Sequence, residues 1–310
     1  MIIGGIDIAV LFASLMVGSV PILLAALGET VVERSGVLNL GVEGMMIIGA
    51  VSGFIAAVQL DNPVAGFLAG AVCGALFSLI FAALTQGLLA NQVATGLALT
   101  LFGIGISSLA GQGYNGIKPP ATFALPMGPL RDIPFLGPML FRHDWVVWFS
   151  LFMVAAVWFV LNRTRAGLII RAVGESHEAA HALGYKVNRI RLLCILFGGA
   201  MAGMGGAYIS LVRVPQWTDN MTNGVGWIAL AIVVFASWRP GRVLVGAWLF
   251  GGLMVLGPNL QAAGYRIPVE YLSMAPYLIT IVVLVVMSSG RRGRATGAPA
   301  ALGQNFHASR

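Results

Sequence analysis

The sequence predicts an all-α protein that crosses a membrane about nine times (eight to ten) and keeps its C-terminus in the cytoplasm. Three observations carry this reading. Of the 310 residues, 58% are hydrophobic and only 9% charged, against about 25% charged in a soluble domain. The apolar residues fall in uncharged runs approaching the ~20 residues that a helix needs to span a bilayer. The remaining Lys and Arg gather in a few polar segments, the pattern of cytoplasmic loops under the positive-inside rule. That rule accounts for the net charge of +7 without a nucleic-acid partner.

The nine runs are Ile8–Leu27, Met45–Leu60, Pro63–Leu89, Val93–Gly111, Trp145–Leu161, Leu192–Leu211, Gly226–Trp238, Val243–Gly257 and Met274–Met287. The first has no Lys or Arg before it and no small-residue cleavage site after it, so it reads as a retained span rather than a signal peptide. Gly226–Trp238 and Val243–Gly257 are short enough to be two arms of a broken hairpin. Together the spans form one membrane domain, residues 1–290.

Orientation follows from the arginines. The segment Asn162–Arg191 carries Arg163, Arg165, Arg171, Lys186, Arg189 and Arg191 against only Glu175 and Glu178. Placing it inside also places Arg239, Arg242 and the tail's Arg291, Arg292, Arg294 and Arg310 inside, and nine spans then put the N-terminus outside. The tail 291–310 is basic, rich in Gly and Ala, and expected to be disordered.

The loop Gln112–Asp144 falls outside. Its Pro119, Pro120, Pro126, Pro129, Pro134 and Pro138 dictate an extended, turn-rich path, and its length suits either a connector or a docking surface. Gly66, Gly70 and Gly74 recur every fourth residue, as do Gly199 and Gly203, the spacing that lets membrane helices approach closely. Cys73 and Cys194 lie inside apolar runs and read as small packers rather than a disulfide.

Several patterns bear on chemistry. His177-Glu178-Ala179-Ala180-His181 matches the HExxH zinc motif of metalloproteases. Its flanks are charged and loop-like, and the later acids that could supply a third ligand, Asp219 and Glu270, are predicted on the opposite side of the membrane, so two polar residues on a surface helix is the better reading. The chain has no phosphate-binding G-x-x-x-x-G-K-[ST] loop and no Gly-x-Ser-x-Gly elbow, which leaves an enzyme reading without support. Gly28 to Gly44, between the first two spans, holds Glu29, Glu33, Arg34, Asn39 and Glu43 among glycines. It is either a solvated loop or a polar lining at membrane depth. Asn91, Gln92 and Thr95 open the fourth span, as helix caps or as solute contacts.

Together these segments resemble the permease subunits of bacterial ATP-binding-cassette importers, in the branch shared by ribose, branched-chain amino acid and nucleoside systems. Glu178-Ala179-Ala180, three residues and Gly184 are similar to the EAA…G loop of those permeases, although Ile195-Leu196-Phe197 departs from the I-x-L-P that usually follows. Glu33 to Met46 resembles the ERxGVLNxGxEGMM segment of the general nucleoside (simple-sugar) permeases, and Asn91-Gln92 and Arg171 to Glu175 fit that branch. The resemblance covers roughly Leu27 to Phe250, and the length suits the smaller of two paired permeases.

The resemblance implies a multi-pass protein of the bacterial inner membrane that forms a pathway for nucleosides, pentose compounds or simple sugars. Ribose and branched-chain amino acids are the alternatives. It further implies a coupling helix carrying Arg171, Glu175, Glu178, Ala179, Ala180 and Gly184, docked on an ATPase subunit that alone binds ATP and Mg. A second permease and an extracytoplasmic substrate-binding protein are the other implied partners. Asn39, Glu43, Asn91, Gln92 and Thr95 are the candidate solute-facing groups, and neither metal nor cofactor is expected on this chain.

Overall fold

The computed structural model describes residues 2–3, 6–126, 128–133, 137–262 and 297–307, with residues 264, 268, 271, 274, 275, 278, 279, 281, 282 and 285. Apart from the two-residue strands Ile2–Ile3 and Ile6–Asp7, its regular elements are helices. In chain order these are α1 (Ile8–Arg34), α2 (Val42–Leu60), α3 (Pro63–Ala82), α4 (Gln92–Gly111), α5 (Trp145–Arg163), α6 (Arg165–Glu175), α7 (His177–Ala182), α8 (Val187–Tyr208), α9 (Val225–Phe235) and α10 (Pro240–Ala262). Single π turns prolong α3 over Ala83–Gly87 and α8 over Ile209–Arg213.

Seven helices among the described residues are long and apolar enough to cross a membrane: α1 to α5, α8 and α10. Polar caps fix where several begin. The side chains of Asn62, Asn91 and Asp144 accept from the first free backbone N–H groups of α3, α4 and α5, groups that have no partner inside their own helix. Asp144 also receives the Tyr208 hydroxyl at 2.7 Å, which ties α5 to α8.

The expected spans Gly226–Trp238 and Val243–Gly257 turn out unequal. Helix α9 has 11 residues, about 16 Å of rise, roughly half of the ~30 Å hydrocarbon core. Helix α10, with 23 residues, crosses fully. The pair is a half-helix followed by a span, not two arms of equal reach. Of the expected ninth span, the described residues between Tyr271 and Val285 are helical and the rest of Met274–Met287 lies outside the described residues.

Helices α2, α3 and α8 meet at a seam of small residues. A β-carbon at Gly203 would sit 2.2 Å from the Gly70 carbonyl oxygen, and one at Gly49 would sit 2.2 Å from that of Gly203. Gly74 likewise lies on Gly199. The four-residue glycine spacing therefore does bring helix backbones into contact, where dispersion replaces the hydrophobic drive that lipid cannot supply.

At one end of the bundle α1, α5 and α9 finish and α4, α8 and α10 begin. Arg34, Arg163, Arg171, Arg189, Arg191, Arg239 and Arg242 all belong to this basic end. Described residues of the Pro-rich loop lie at the other end, where the Tyr114 hydroxyl accepts from Gln59 on α2 at 2.7 Å and the Phe123 ring stacks 6.3 Å from Trp145.

Candidate functional site

The basic end is built from α6, α7 and the start of α8. Thr164 caps α6 through Gly167 N–H, and the helix turns Ile169, Ile170 and Val173 inward. Gly174 sits against the end of α1, where a β-carbon would come 2.2 Å from the Arg34 carbonyl oxygen. Ser176 then stops α6 and caps α7, its hydroxyl accepting from Ala179 N–H at 3.2 Å. Helix α7 lasts six residues. Gly184 ends the turn at φ 87°, a backbone geometry that suits glycine and resists a β-carbon.

The six residues expected to form a coupling surface divide by exposure. Glu178, Ala179 and Gly184 are exposed, and Leu183 beside them leaves 77% of its surface free. Ala180 is buried and holds α7 to the body through Val173, Val187 and Phe306. Glu175 is exposed at the end of α6. Arg171 points back toward Arg34 and lines a cavity of about 570 Å³ shared with Arg239 and Arg242.

Arg191 is the clasp that sequence reasoning missed. Its guanidinium is buried, donating from Nε to Ser35 O at 3.1 Å and from Nη1 to Gln304 O at 3.0 Å, with Nη2 3.4 Å from His177 Nδ1. One side chain thus joins α8, the turn after α1, α7 and the C-terminal tail. Burial and the Arg191 charge hold the His177 imidazole below its ordinary range, outweighing the attraction of Glu178.

The tail overturns its expected disorder over residues 297–307. Ala301 N–H donates to Gly174 O and Gly303 N–H to Gly36 O. Asn305 Nδ2 donates to the carbonyls of Leu89 and Ala90 at 2.6 and 3.1 Å. Phe306 is buried with its ring centroid 5.3 Å from those of His177 and His181. The composition reads as disorder, but the tail needs few apolar residues because it bonds through its backbone. Its one aromatic, Phe306, was the signal available in the sequence.

Both histidines of the HExxH pattern thus pack against Phe306, His177 edge-on and His181 tilted, and a cation at His177 Nδ1 would meet the Arg191 guanidinium. Among the described residues no three His, Cys, Asp or Glu come together as a metal-binding group.

The polar segment after α1 proves to be neither a solvated loop nor a free lining. Residues 35–41 are non-helical and mostly buried, which is tolerated at membrane depth only inside protein. The carboxylates that flank it, Glu33 at the end of α1 and Glu43 at the start of α2, hold α9. Glu43 receives the Thr222 hydroxyl at 2.5 Å and the N–H groups of Gly224 and Gly226 at 2.8 and 2.6 Å, where the positive end of the helix dipole favours a negative charge. Glu33 receives Trp238 Nε1–H at 2.5 Å just past the other end. The half-helix is bracketed by carboxylates ten residues apart in one segment.

The other candidate solute contacts are similarly engaged. Asn39 accepts from Gly41 N–H through Oδ1, and its own N–H donates to Glu29 Oε1. Gln92 accepts from Leu38 N–H and donates to Asn305 Oδ1. Asn91 caps α4, and Thr95 is buried on its first turn. None of the five lines the cavities at Arg34, Val31, Gln86 or Arg142. Glu29 Oε2 is buried without a hydrogen-bond partner.

Comparison with known proteins gives this geometry its context. Residues 11–287 match the family described as branched-chain amino acid transport system / permease component. The chain is 34% identical to the guanosine ABC transporter permease protein NupQ of Bacillus subtilis, over 89% of this chain and 91% of that one. It is 32% identical to the nucleoside ABC transporter permease protein NupC of Lactococcus lactis, over 96% of each. It is 40% identical to the putative glucose ABC transporter permease protein TsgC13 of Haloferax volcanii, over 92% of this chain and 94% of that one.

Proposed function

This chain belongs to the branched-chain amino acid transport system permease family, and on that premise we propose that it moves nucleosides or simple sugars, driven through α7 by an ATPase on another subunit. It is a multi-pass ABC transporter permease, a transport subunit and not an enzyme. The nucleoside reading is supported by the names of the guanosine and nucleoside relatives, and the sugar reading by the glucose relative. A nucleoside contains both a base and a sugar, so one pathway serving this class needs polar partners for ribose hydroxyls in either case.

The single observation that carries the coupling role is the mounting of α7. A six-residue helix stands exposed at the basic end with Glu178, Ala179 and Leu183 outward, while Ser176, Ala180 and Gly184 fix its start, underside and finish. A short helix held so firmly suits transmission of a push into the bundle. The positive-inside rule supports a cytoplasmic placement of this end, where the ATPase would bind ATP and Mg. A second permease would complete the pathway, since NupP and NupQ of one organism are both guanosine permease relatives. A substrate-binding protein would meet the Pro-rich loop.

On this reading the buried polar segment shapes the pathway by holding α9 through Glu43, with Asn39 and Gln92 bonding the turn before α2 and Asn91 and Thr95 on the first turn of α4 beside it. Glu178→Lys and Gly184→Pro test the coupling role. Each should abolish guanosine uptake while the chain stays in the membrane at its normal level. Full uptake with normal co-purification of the ATPase would refute it. Competition of uptake by a nucleoside and sugar panel assigns the solute.

A further inference from the structure

We propose that the cavity between α5 and α10 at the basic end is a binding site for the phosphate headgroup of an anionic phospholipid. The cavity holds about 570 Å³ and is lined by Arg34, Arg171, Arg239 and Arg242, with Trp158 and Trp238 and, among the described residues, without a carboxylate in its wall. The charges that bear on Arg34 are Arg171, Glu175 and Arg239. Glu175 is exposed and lies outside the wall, so like charges face one another across the cavity.

Positive-inside placement explains why arginines occur at this end, but not why four of them enclose one space. Two already have structural bonds. Arg34 Nη1 donates to Gly297 O at 3.1 Å and its Nη2 to Ser237 O and Trp238 O at 3.5 and 3.4 Å, and Arg171 Nε donates to Gly167 O at 3.4 Å. The guanidinium fork has five donors, so both keep N–H groups for an acceptor in the cavity, and Arg239 and Arg242 are exposed at its mouth. A phosphodiester offers unesterified oxygens that accept such forks bidentately. The N-terminus of α10, at Pro240, adds its partial positive charge to the arginines.

The surroundings point to a lipid rather than a soluble anion. On α10, Arg242, Val245 and Leu249 follow at three- and four-residue steps, so they share one face, and that face is exposed and apolar beyond the arginine. On α5, Phe152 and Phe159 are exposed on the stripe that ends at Asn162, and Trp158 beside it carries Arg163 5.8 Å from its ring. Two lipid-facing stripes thus converge on the cavity from the hydrocarbon side. Tryptophan and arginine at the end of each is the composition of the headgroup layer. Basic pockets between spans on the cytoplasmic side are suited to such headgroups.

The test uses the full-length chain purified in detergent and titrated with phosphatidylglycerol, phosphatidylcholine or inorganic phosphate, with retained lipid read by native mass spectrometry and stability by thermal melting. Phosphatidylglycerol should be retained and raise the melting temperature, while the other two should do neither. Arg239→Gln with Arg242→Gln should weaken phosphatidylglycerol binding on the order of ten-fold or more, and the paired Arg→Lys variant should restore part of it. Arg242→Gln alone, at an exposed position, should lose several-fold and serves if the double variant does not assemble. Equal retention by the wild type and the Gln variants would overturn the site, leaving only diffuse attraction of a basic surface. Stabilisation by inorganic phosphate alone would overturn the lipid assignment.

Discussion

The glycine seam and the basic end are held by opposite means. Along the seam of α2, α3 and α8, backbone meets backbone at Gly49, Gly70, Gly74, Gly199 and Gly203, with only the small side chains of Ser78 and Ala207 packed beside them. At the basic end, contact runs through long side chains and single hydrogen bonds, chiefly those of Arg191, Gln92 and Asn305. The first arrangement cannot yield without separating the helices. The second can open one bond at a time, because each is worth only about 1 kcal/mol net, or somewhat more when charged. On the coupling role proposed for α7, the bundle must stay intact while that helix passes motion inward, and the rigid and the releasable contacts are placed accordingly.

The sharpest way to break that contrast is to add bulk to the seam. Gly203→Val puts two methyl groups where even a β-carbon lies 2.2 Å from Gly70 O. Overpacking ordinarily costs about 1–3 kcal/mol, and with backbone on both sides the cost should reach the top of that range or beyond. The expected outcome is little or no monodisperse protein on size-exclusion chromatography. Normal recovery and melting would show that the seam is not rigid.

Removing the clasp should do less to the bundle and more to its basic end. Arg191→Met leaves Ser35 O without its donor and Gln304 O with only the 3.4 Å bond from Gln92 Nε2, a loss of about 3 kcal/mol for a buried charged hydrogen-bonding group. Residues 297–307 should lose hydrogen-exchange protection while the α2, α3 and α8 amides keep theirs. Phe306→Ala should follow with a smaller effect, about 2 kcal/mol, because truncating a buried aromatic costs less where a surface site can collapse. Its readout is proteolysis of the tail with melting of the bundle unchanged.

What was legible in the sequence follows the same division. Hydropathy and charge announced the spans and the basic end, since both are local properties of a run of residues. Glycine spacing announced the seam because four-residue periodicity is itself the geometry of one helix face. The length of α9 was hidden, because its ends are set by Glu43 and Glu33, roughly 180 and 200 residues away in sequence. The docked tail was hidden for a related reason. Its partners are carbonyl groups of Leu89, Ala90, Gly174 and Gly36, and every residue carries a carbonyl, so composition says nothing of which one is used. The Glu178-Ala179-Ala180 pattern did locate the exposed helix, while the candidate solute contacts located a polar framework.

The smallest expected effect is a dependence of tail docking on pH. With the tail docked, burial and the Arg191 guanidinium disfavour the charged form of His177, and Glu178 opposes them more weakly. Phe306 covers the ring and separates it from His181. With the tail released, His177 loses the burial that Phe306 supplies and moves back toward its ordinary value of 6.5. The released state therefore binds the proton more tightly, and docking gains stability as pH rises. Its full strength is present above about pH 6.5 and is lost as pH falls through the depressed value of the docked state. Protease cleavage within 297–307 should accelerate a few-fold between pH 7.5 and pH 5.5, by the size of shift that one titrating group allows. His177→Gln, which cannot take up the proton, should cleave at the same rate at both pH values. A variant that keeps the acceleration would move the proton to another group and leave Arg191 as the sole control of the clasp.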